Sequence, residues 1–267
     1  GQSKIFEQKG KFDKKTKKQL PDVLSNGPVV PLYSAVPSRP FFPRGFLWDE
    51  GFHQLLVVHF DKQITMDVLS HWYNVMHEDG WIPREQILGK EAESKVPAEF
   101  HAQHRTHANP PTMLLAIERL IRRAKADDVI DENVLTFLKN IYPRLKLHFN
   151  WWVKTQAGKA PNSFRWRGRK VNHTLSSGLD DYPRDGKPSN NELHVDGLCW
   201  LILFSRTLSD IARLLNNNND ADVLSQQQRA FEKTLDTFHW NEKKQLYADS
   251  SIDLKYSPHV GYVTLFP

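Results

Sequence analysis

WDEGFHQLLVVHFDKQITMDVLSHWYNVM, residues 48–76, is the stretch that decides the fold. Apolar side chains recur in it at steps of three and four. Phe52, Leu55, Leu56 and His59 fall on one face, and Ile64, Val68, Trp72, Val75 and Met76 continue it, the pattern of an amphipathic helix. Asp79 and Gly80 supply the stop. The period returns after Pro111, a favoured first-turn residue, in Leu114, Ile117, Leu120, Ile121 and Ala124. It returns again in Val134, Leu138, Ile141, Leu145, Phe149 and Trp152, where Pro143 predicts a kink or interruption. Residues 192–216 and 222–238 predict two more helices, with 216–219 as the turn between them. Strand alternation is weak throughout, apart from a short hairpin signal near Gln245 to Tyr256. The expectation is an all-α fold of about six helices, paired alternately by short turns and long loops. Long loops that open on one side of such an assembly would make a pocket.

The loops are residues 81–111 and 158–191, and they are not linkers in composition. Loops of this length inside a compact domain are usually functional, and these hold aromatic, His, Arg and acidic side chains together. The chain has 267 residues and is 39% hydrophobic with 8 Trp, 7 Tyr and 15 Phe, enough to bury a sizeable core. A net charge of +5 does not indicate a nucleic-acid partner. Residues 4–18 hold seven Lys against Glu7 and Asp13, which accounts for the whole excess, so the rest is close to neutral and offers no basic stripe. Residues 1–30 are expected to be a basic, extended N-terminal segment. Cys199 is the single cysteine, which removes disulfide frameworks and CxxC metal sites. No apolar run reaches the length of a membrane span. Gly1 at one end and an apolar run at the other read as a piece of a longer protein.

Three stretches concentrate Trp, Arg and carboxylates: FFPRGFLWDEGFH at 41–53, RWRG at 165–168 and SGLDDYPR at 177–184. Sugar chemistry needs that mixture. An aromatic face covers the apolar side of a pyranose, while Arg and carboxylates take its hydroxyls. Glycosidic cleavage then needs one protonated and one ionised carboxyl group flanking the bond. Trp48 and Asp49, with Arg44 nearby, are candidates for the floor of a sugar subsite, and Trp166 and Arg167 are weaker ones. Glu192 and Asp196 sit i, i+4 at a helix start, on one face. That fits either a carboxylate pair or an acidic cluster favoured by the helix dipole. His101, His104 and His107 are spaced so that successive rings turn around a helix, and no metal or other cofactor is expected. Asn172-His-Thr174 is an N-glycosylation sequon.

Five motifs, in order, resemble the processing alpha-glucosidase I family, the mannosyl-oligosaccharide glucosidases of glycoside hydrolase family 63. They are SRPFFPRGFLWDEGFHQL at 38–55, DGWIPREQILG at 79–89, HANPPT at 107–112, SGLDDYPR at 177–184 and ELHVDGLCW at 192–200. The resemblance implies that residues 31–267 are the N-terminal part of an (α/α)6 toroid, with about half of its helices present. It implies an inverting exo-glucosidase that removes the terminal alpha-1,2-linked glucose from the triglucosylated N-glycan precursor in the lumen of the endoplasmic reticulum. The partner is then the N-linked oligosaccharide of nascent glycoproteins, and any membrane contact comes through an anchor absent from this chain. Asp180 becomes the candidate general acid, with Asp181 as the alternate, and the general base, a Glu late in the barrel, lies outside this chain. Glu192 and Asp196 become substrate-binding residues, although Leu198 stands where the family often has Arg. A trehalase-like or other alpha-glucosidase of the same barrel type and a non-catalytic carbohydrate-binding protein are the competing readings.

Overall fold

A computed structural model describes residues 1–125, 131–184 and 186–267, with the side chains of Ala124 and Lys125 also outside the described set. Among the described residues the chain is helix-rich. The helices are α1 (Leu47–Phe60), α2 (Lys62–Asn74), the short α3 (Gly89–Ser94), α4 (Met113–Lys125), α5 (Glu132–Thr155), α6 (Val195–Leu214) and α7 (Asn218–His239). The predicted 48–76 helix is two helices. Asp61 leaves helical geometry (φ −149°, ψ 110°) and its carboxylate accepts from the backbone N–H groups of Gln63 and Ile64, capping α2. Such a cap contributes about 1 kcal/mol. The inward face of α1 also differs from the expectation. Leu47, Glu50, Gly51, Gln54 and Val58 are buried, whereas Phe52, Leu56 and Phe60 are 43%, 78% and 88% exposed. Apolar periodicity pointed to the wrong face because the packed face carries Glu50, whose oxygens are taken by Ser34 and Gln54.

Pro143 does not interrupt α5, which runs unbroken from Glu132 to Thr155. Pro143 and Lys139, whose carbonyl loses its helical partner, both lie on the solvent side. Water can therefore satisfy that carbonyl.

The helices pack in two rows that alternate along the chain. α1, α4 and α6 neighbour one another in sequence order, α2 packs on both α1 and α5, and α7 packs on α6. Between the rows lies a core that includes Trp72, Trp152, Phe204 and Phe231, all buried. Edge-on ring pairs at 5.3–5.4 Å, Phe149 with Phe204 and Phe164 with Phe231, tie α5, α6, α7 and the loop before α6 together. Close approach of α1 and α4 depends on Gly51, where a Cβ would sit 2.3 Å from Thr112 atoms.

Small sheets fasten the loops. β1 (Lys4–Gln8) lies between β4 (Val23–Asn26), antiparallel, and β7 (Ala102–His104), parallel. β2 (Phe12–Asp13) and β3 (Lys18–Gln19) form a hairpin within the basic segment. Its lysines stay largely outside while Ile5 is buried in the main core. The first thirty residues thus fold against loop 81–111. β5 (Gly45–Phe46) pairs with β6 (Glu85–Gln86), and β8 (Glu192–Leu193) with β11 (Ser250–Ser251). β9 (Trp240–Asn241) and β10 (Leu246–Tyr247) form a hairpin that overlaps the predicted one.

Candidate active site

The motif-bearing loops meet at the N-terminal ends of α1, α4 and α6. β5 pairs Gly45 with Gln86 and Phe46 with Glu85, which brings the 38–55 and 79–89 stretches side by side. The Trp48 backbone N–H donates to Asn109 Oδ1 at 3.0 Å, and Asn109 Nδ2 donates to the Ser176 carbonyl at 3.2 Å. Thr112 Oγ1 donates to the Trp48 carbonyl. One asparagine therefore joins α1 to the loop that carries Asp180. Gly178 then turns at φ +71°, and a Cβ there would lie 2.6 Å from the Trp48 indole. Only glycine combines that backbone conformation with such an approach.

The result is a cavity of about 350 Å3 walled by Phe42, Phe46, Trp48 and Arg44 on one side and by Arg84, Glu85, Gly178 and Asp180 on the other, with Asp49 in it. Glu85, 2% exposed, is held by two guanidiniums: Arg44 Nε donates to Oε2 at 2.6 Å and Arg84 to Oε1. Arg44 also stands over the Phe46 and Phe42 rings at 4.6 and 5.6 Å, and its Nη1 has no hydrogen-bond partner among the described residues. Asp49 Oδ2 is buried and equally unpartnered. Partial burial pushes the Asp49 carboxyl above the usual range, against the pull of His53 and Arg84. Asp180 stands at the rim. Desolvation by the cavity walls raises its carboxyl, Arg84 opposes the rise, and neighbouring Asp181 adds to it. Asp49 lies in the first turn of α1, where the helix dipole favours its charged form. Asp180 has no such support and approaches from a loop. Of the two, Asp180 is better suited to hold a proton and hand it to an oxygen in the cavity.

The structure brings Arg44, Trp48, Asp49 and Asp180 together, with Asp181 exposed beside them. It does not bring the other candidates there. Trp166 is 1% exposed and packs edge-on against Trp152 at 5.0 Å, a core residue with no face for a ligand. Arg167 donates from Nε to the Thr155 carbonyl and from Nη2 to the Ala157 carbonyl, at 2.7 and 2.8 Å. It closes the C-terminal end of α5. Asp196 is wholly buried, with Arg184 donating to both of its oxygens at 3.0 and 2.5 Å. Glu192 faces a separate polar cavity and pairs with Arg169 at 3.3 Å. These four side chains stand outside the Asp180 cavity; Trp166, Arg167 and Asp196 are packed or paired within the fold, and Glu192 lines a polar cavity of its own, with its Oε1 lacking a hydrogen-bond partner among the described residues. Asn172 is exposed while Thr174 of its sequon is buried. His101 turns its Nε2 to the Val96 carbonyl at 2.8 Å, away from His104 and His107, which stack on each other at 4.5 Å.

Arg84 and Glu85 were not singled out from the sequence as site residues. Their signal was adjacency within a motif already noted, one charge of each sign beside Pro83.

The chain matches the model of the glycosyl hydrolase family 63 C-terminal domain over residues 1–260. It is 40% identical to a probable mannosyl-oligosaccharide glucosidase of Schizosaccharomyces pombe, over 88% of this chain and 34% of that protein. It is 35% identical to the mannosyl-oligosaccharide glucosidase of Saccharomyces cerevisiae, over 99% and 38%. The chain thus spans about a third of the length of these relatives. Among solved structures it is similar in fold to the Thermus thermophilus mannosylglycerate hydrolase in complex with glucose, with a TM-score of 0.64 at 13% identity, covering 88% of this chain and 68% of that one.

Proposed function

Because the chain belongs to glycosyl hydrolase family 63, we propose that the protein containing it is an inverting exo-glucosidase. It removes the terminal alpha-1,2-linked glucose from the triglucosylated N-glycan precursor in the lumen of the endoplasmic reticulum. One observation carries the proposal: an aromatic-walled cavity with two carboxyls of raised pKa, Asp49 and Asp180, and an arginine with a donor to spare. Trp48 and Phe42 offer faces for a pyranose, Arg44 and Asp49 its hydroxyl partners, and Asp180 protonates the departing glycosidic oxygen.

The general base comes from outside these residues. An inverting enzyme needs a second, ionised carboxylate about 6.5–9.5 Å across the sugar, free to hold water. Glu85 has both oxygens committed to arginines, and Asp49 is needed for the hydroxyls. The two rows of helices support the reading of residues 31–267 as an arc of an (α/α)6 toroid that other parts of the protein complete. Residues 1–30 are a basic segment laid against it, with Ile5 entering its core. The lumenal assignment is supported by the sequon at the exposed Asn172, and no described helix is long and apolar enough to cross a membrane.

The test is glucose release by the full-length protein from a triglucosylated N-glycan, with trehalose and maltose in parallel. The expected result is hydrolysis of the glycan far above either disaccharide. Preference for trehalose would move the protein to the trehalase-like reading, and glycan binding without glucose release would make it a lectin.

A further inference from the structure

On the other side of Arg84 from Asp180 lies a second cavity, of about 130 Å3. One water needs roughly 10–15 Å3 of such space, so the cavity holds a molecule of about the size of a sugar ring. Phe100 and the stacked pair His104 and His107 line it, backed by Trp81, which is 1% exposed; the side chains of Gln103 and Ser176 at its wall are already bonded to the Glu85 backbone N–H and the Arg167 carbonyl. The Trp81 indole N–H donates to the His107 carbonyl at 3.2 Å, which fixes the His107 backbone beside the cavity. The ring nitrogens of His104 and His107 have no hydrogen-bond partner among the described residues and are left for a ligand. Burial lowers the pKa of both imidazoles, that of His107 to about 4, so at neutral pH they are uncharged. Of the charged side chains on the wall, Lys170 and Glu99 have opposite sign, and Arg84 is already paired with Glu85. The lining therefore suits a neutral, hydroxyl-rich ligand with an apolar face and does not suit an anion.

The two cavities share one wall. Arg84 faces both, Ser176 and Leu175 line one, and Gly178 and Asp180 line the other. Arg84 Nη1 donates to the Leu175 carbonyl at 3.0 Å, which closes the ridge between them. A linked chain of sugars can lie across a ridge one side chain thick.

We propose that this cavity, with Phe100, His104 and His107 on its wall, binds a second, uncharged pyranose of the oligosaccharide whose terminal sugar occupies the Asp180 cavity. The inference rests on the function proposed above and adds to it: the ligand is an oligosaccharide held at two places, and length is selected at the second. The experiment uses the full-length protein carrying Asp180→Asn, so that glycan is bound and not consumed. Dissociation constants for the triglucosylated glycan and for free glucose are measured by tryptophan fluorescence, with and without Phe100→Ala or His104→Ala. Each added substitution is expected to weaken glycan binding about tenfold and leave glucose binding unchanged, the latter also showing that the fold is intact. Unchanged glycan affinity, or equal weakening for glycan and glucose, would overturn the second site and leave the proposed function standing. Failure of the Asp180→Asn parent to bind the glycan would overturn the function itself, and this inference with it.

Discussion

Two clusters in this molecule have the same ingredients, arginine among carboxylates, and opposite fates. Around Arg44, Glu85, Asp49 and Asp180 the charges line an open cavity, and some groups are left without partners. Around Arg184, Asp196 and Asp249 they are paired with one another, beside a polar cavity of about 200 Å3 that Arg184, Asp249 and Glu192 line. Arg184 donates to Asp196 twice and to Asp249 at 2.6 Å, while Asp249 also accepts from the Val195 backbone N–H at 2.9 Å. Burial alone would raise the Asp249 carboxyl. The Arg184 charge, His194 and that backbone N–H outweigh it and hold it below the usual range. The second cluster fastens the 177–184 loop to the N-terminus of α6, which fixes where Asp180 can stand. Motif chemistry alone does not separate binding groups from fastening groups. The pairing of each carboxylate separates Asp196, with both oxygens taken by Arg184, from Asp49, whose Oδ2 has no partner among the described residues.

The largest effect that tests this division is all or none. The 267-residue chain, folded and supplied with the triglucosylated glycan, should release no glucose, because beyond Asp180 as acid and Asp49 as partner of the sugar hydroxyls its cavity offers only Glu85, which two arginines hold. Sensitive glucose detection at high protein concentration checks it, and turnover abolished by Glu192→Gln would move the base into the chain.

Next in size is Asp196→Ala in the full-length protein. Removing one partner of a buried ion pair costs about 3–5 kcal/mol, read as a drop in denaturation midpoint, while the dissociation constant of the glycan in the folded fraction stays within about twofold. A change in affinity without loss of stability would return Asp196 to the binding site.

Trp48→Ala should do the reverse, raising the glycan dissociation constant by about tenfold or more, from loss of a ring face worth about 0.5–1.5 kcal/mol beyond its buried area. Trp166→Phe should leave affinity untouched. Equal losses of affinity would place Trp166 in the site.

The smallest effect is a pH slope. His148 is wholly buried beside Tyr73, Trp151 and Phe204, and burial pushes its pKa down to about 3. A group with a folded pKa below its unfolded value contributes stability that is present above about pH 6.5 and lost as pH falls toward the folded value. Thermal midpoints should therefore decline from pH 7 to 5, and His148→Phe should flatten that decline. An unchanged slope would show that His148 is not its source.

How legible the molecule was depends on what each segment packs against. Helices α4 and α5 followed the apolar period because their buried faces are mostly apolar, as with Leu114, Ile117 and Leu120 on α4. α1 did not, because Glu50 and Gln54 are buried there under hydrogen bonds, and periodicity of apolar residues cannot see a satisfied polar face. Strands β1 and β4 were invisible for a related reason. Only Ile5 of β1 is buried, and the pairing with β7 joins residues about a hundred positions apart. In the site, Arg44, Trp48, Asp49 and Asp180 were readable as types clustered in loops. Arg84 and Glu85 became visible only when β5 met β6. Trp166 and Arg167 were weaker candidates, Glu192 and Asp196 fitted either a carboxylate pair or an acidic helix start, and the fold places all four outside the Asp180 cavity.

The central claim, that Asp180 is the proton donor, is tested most directly by Asp180→Asn and Asp181→Asn in the full-length protein, measuring glucose release in a single turnover beside glycan affinity. An amide keeps the shape and cannot give a proton. The predicted result is a loss of turnover on the order of a hundredfold to ten-thousandfold for Asp180→Asn, with affinity retained and a much smaller effect at Asp181. Full turnover by Asp180→Asn, or a larger loss at Asp181, would contradict it.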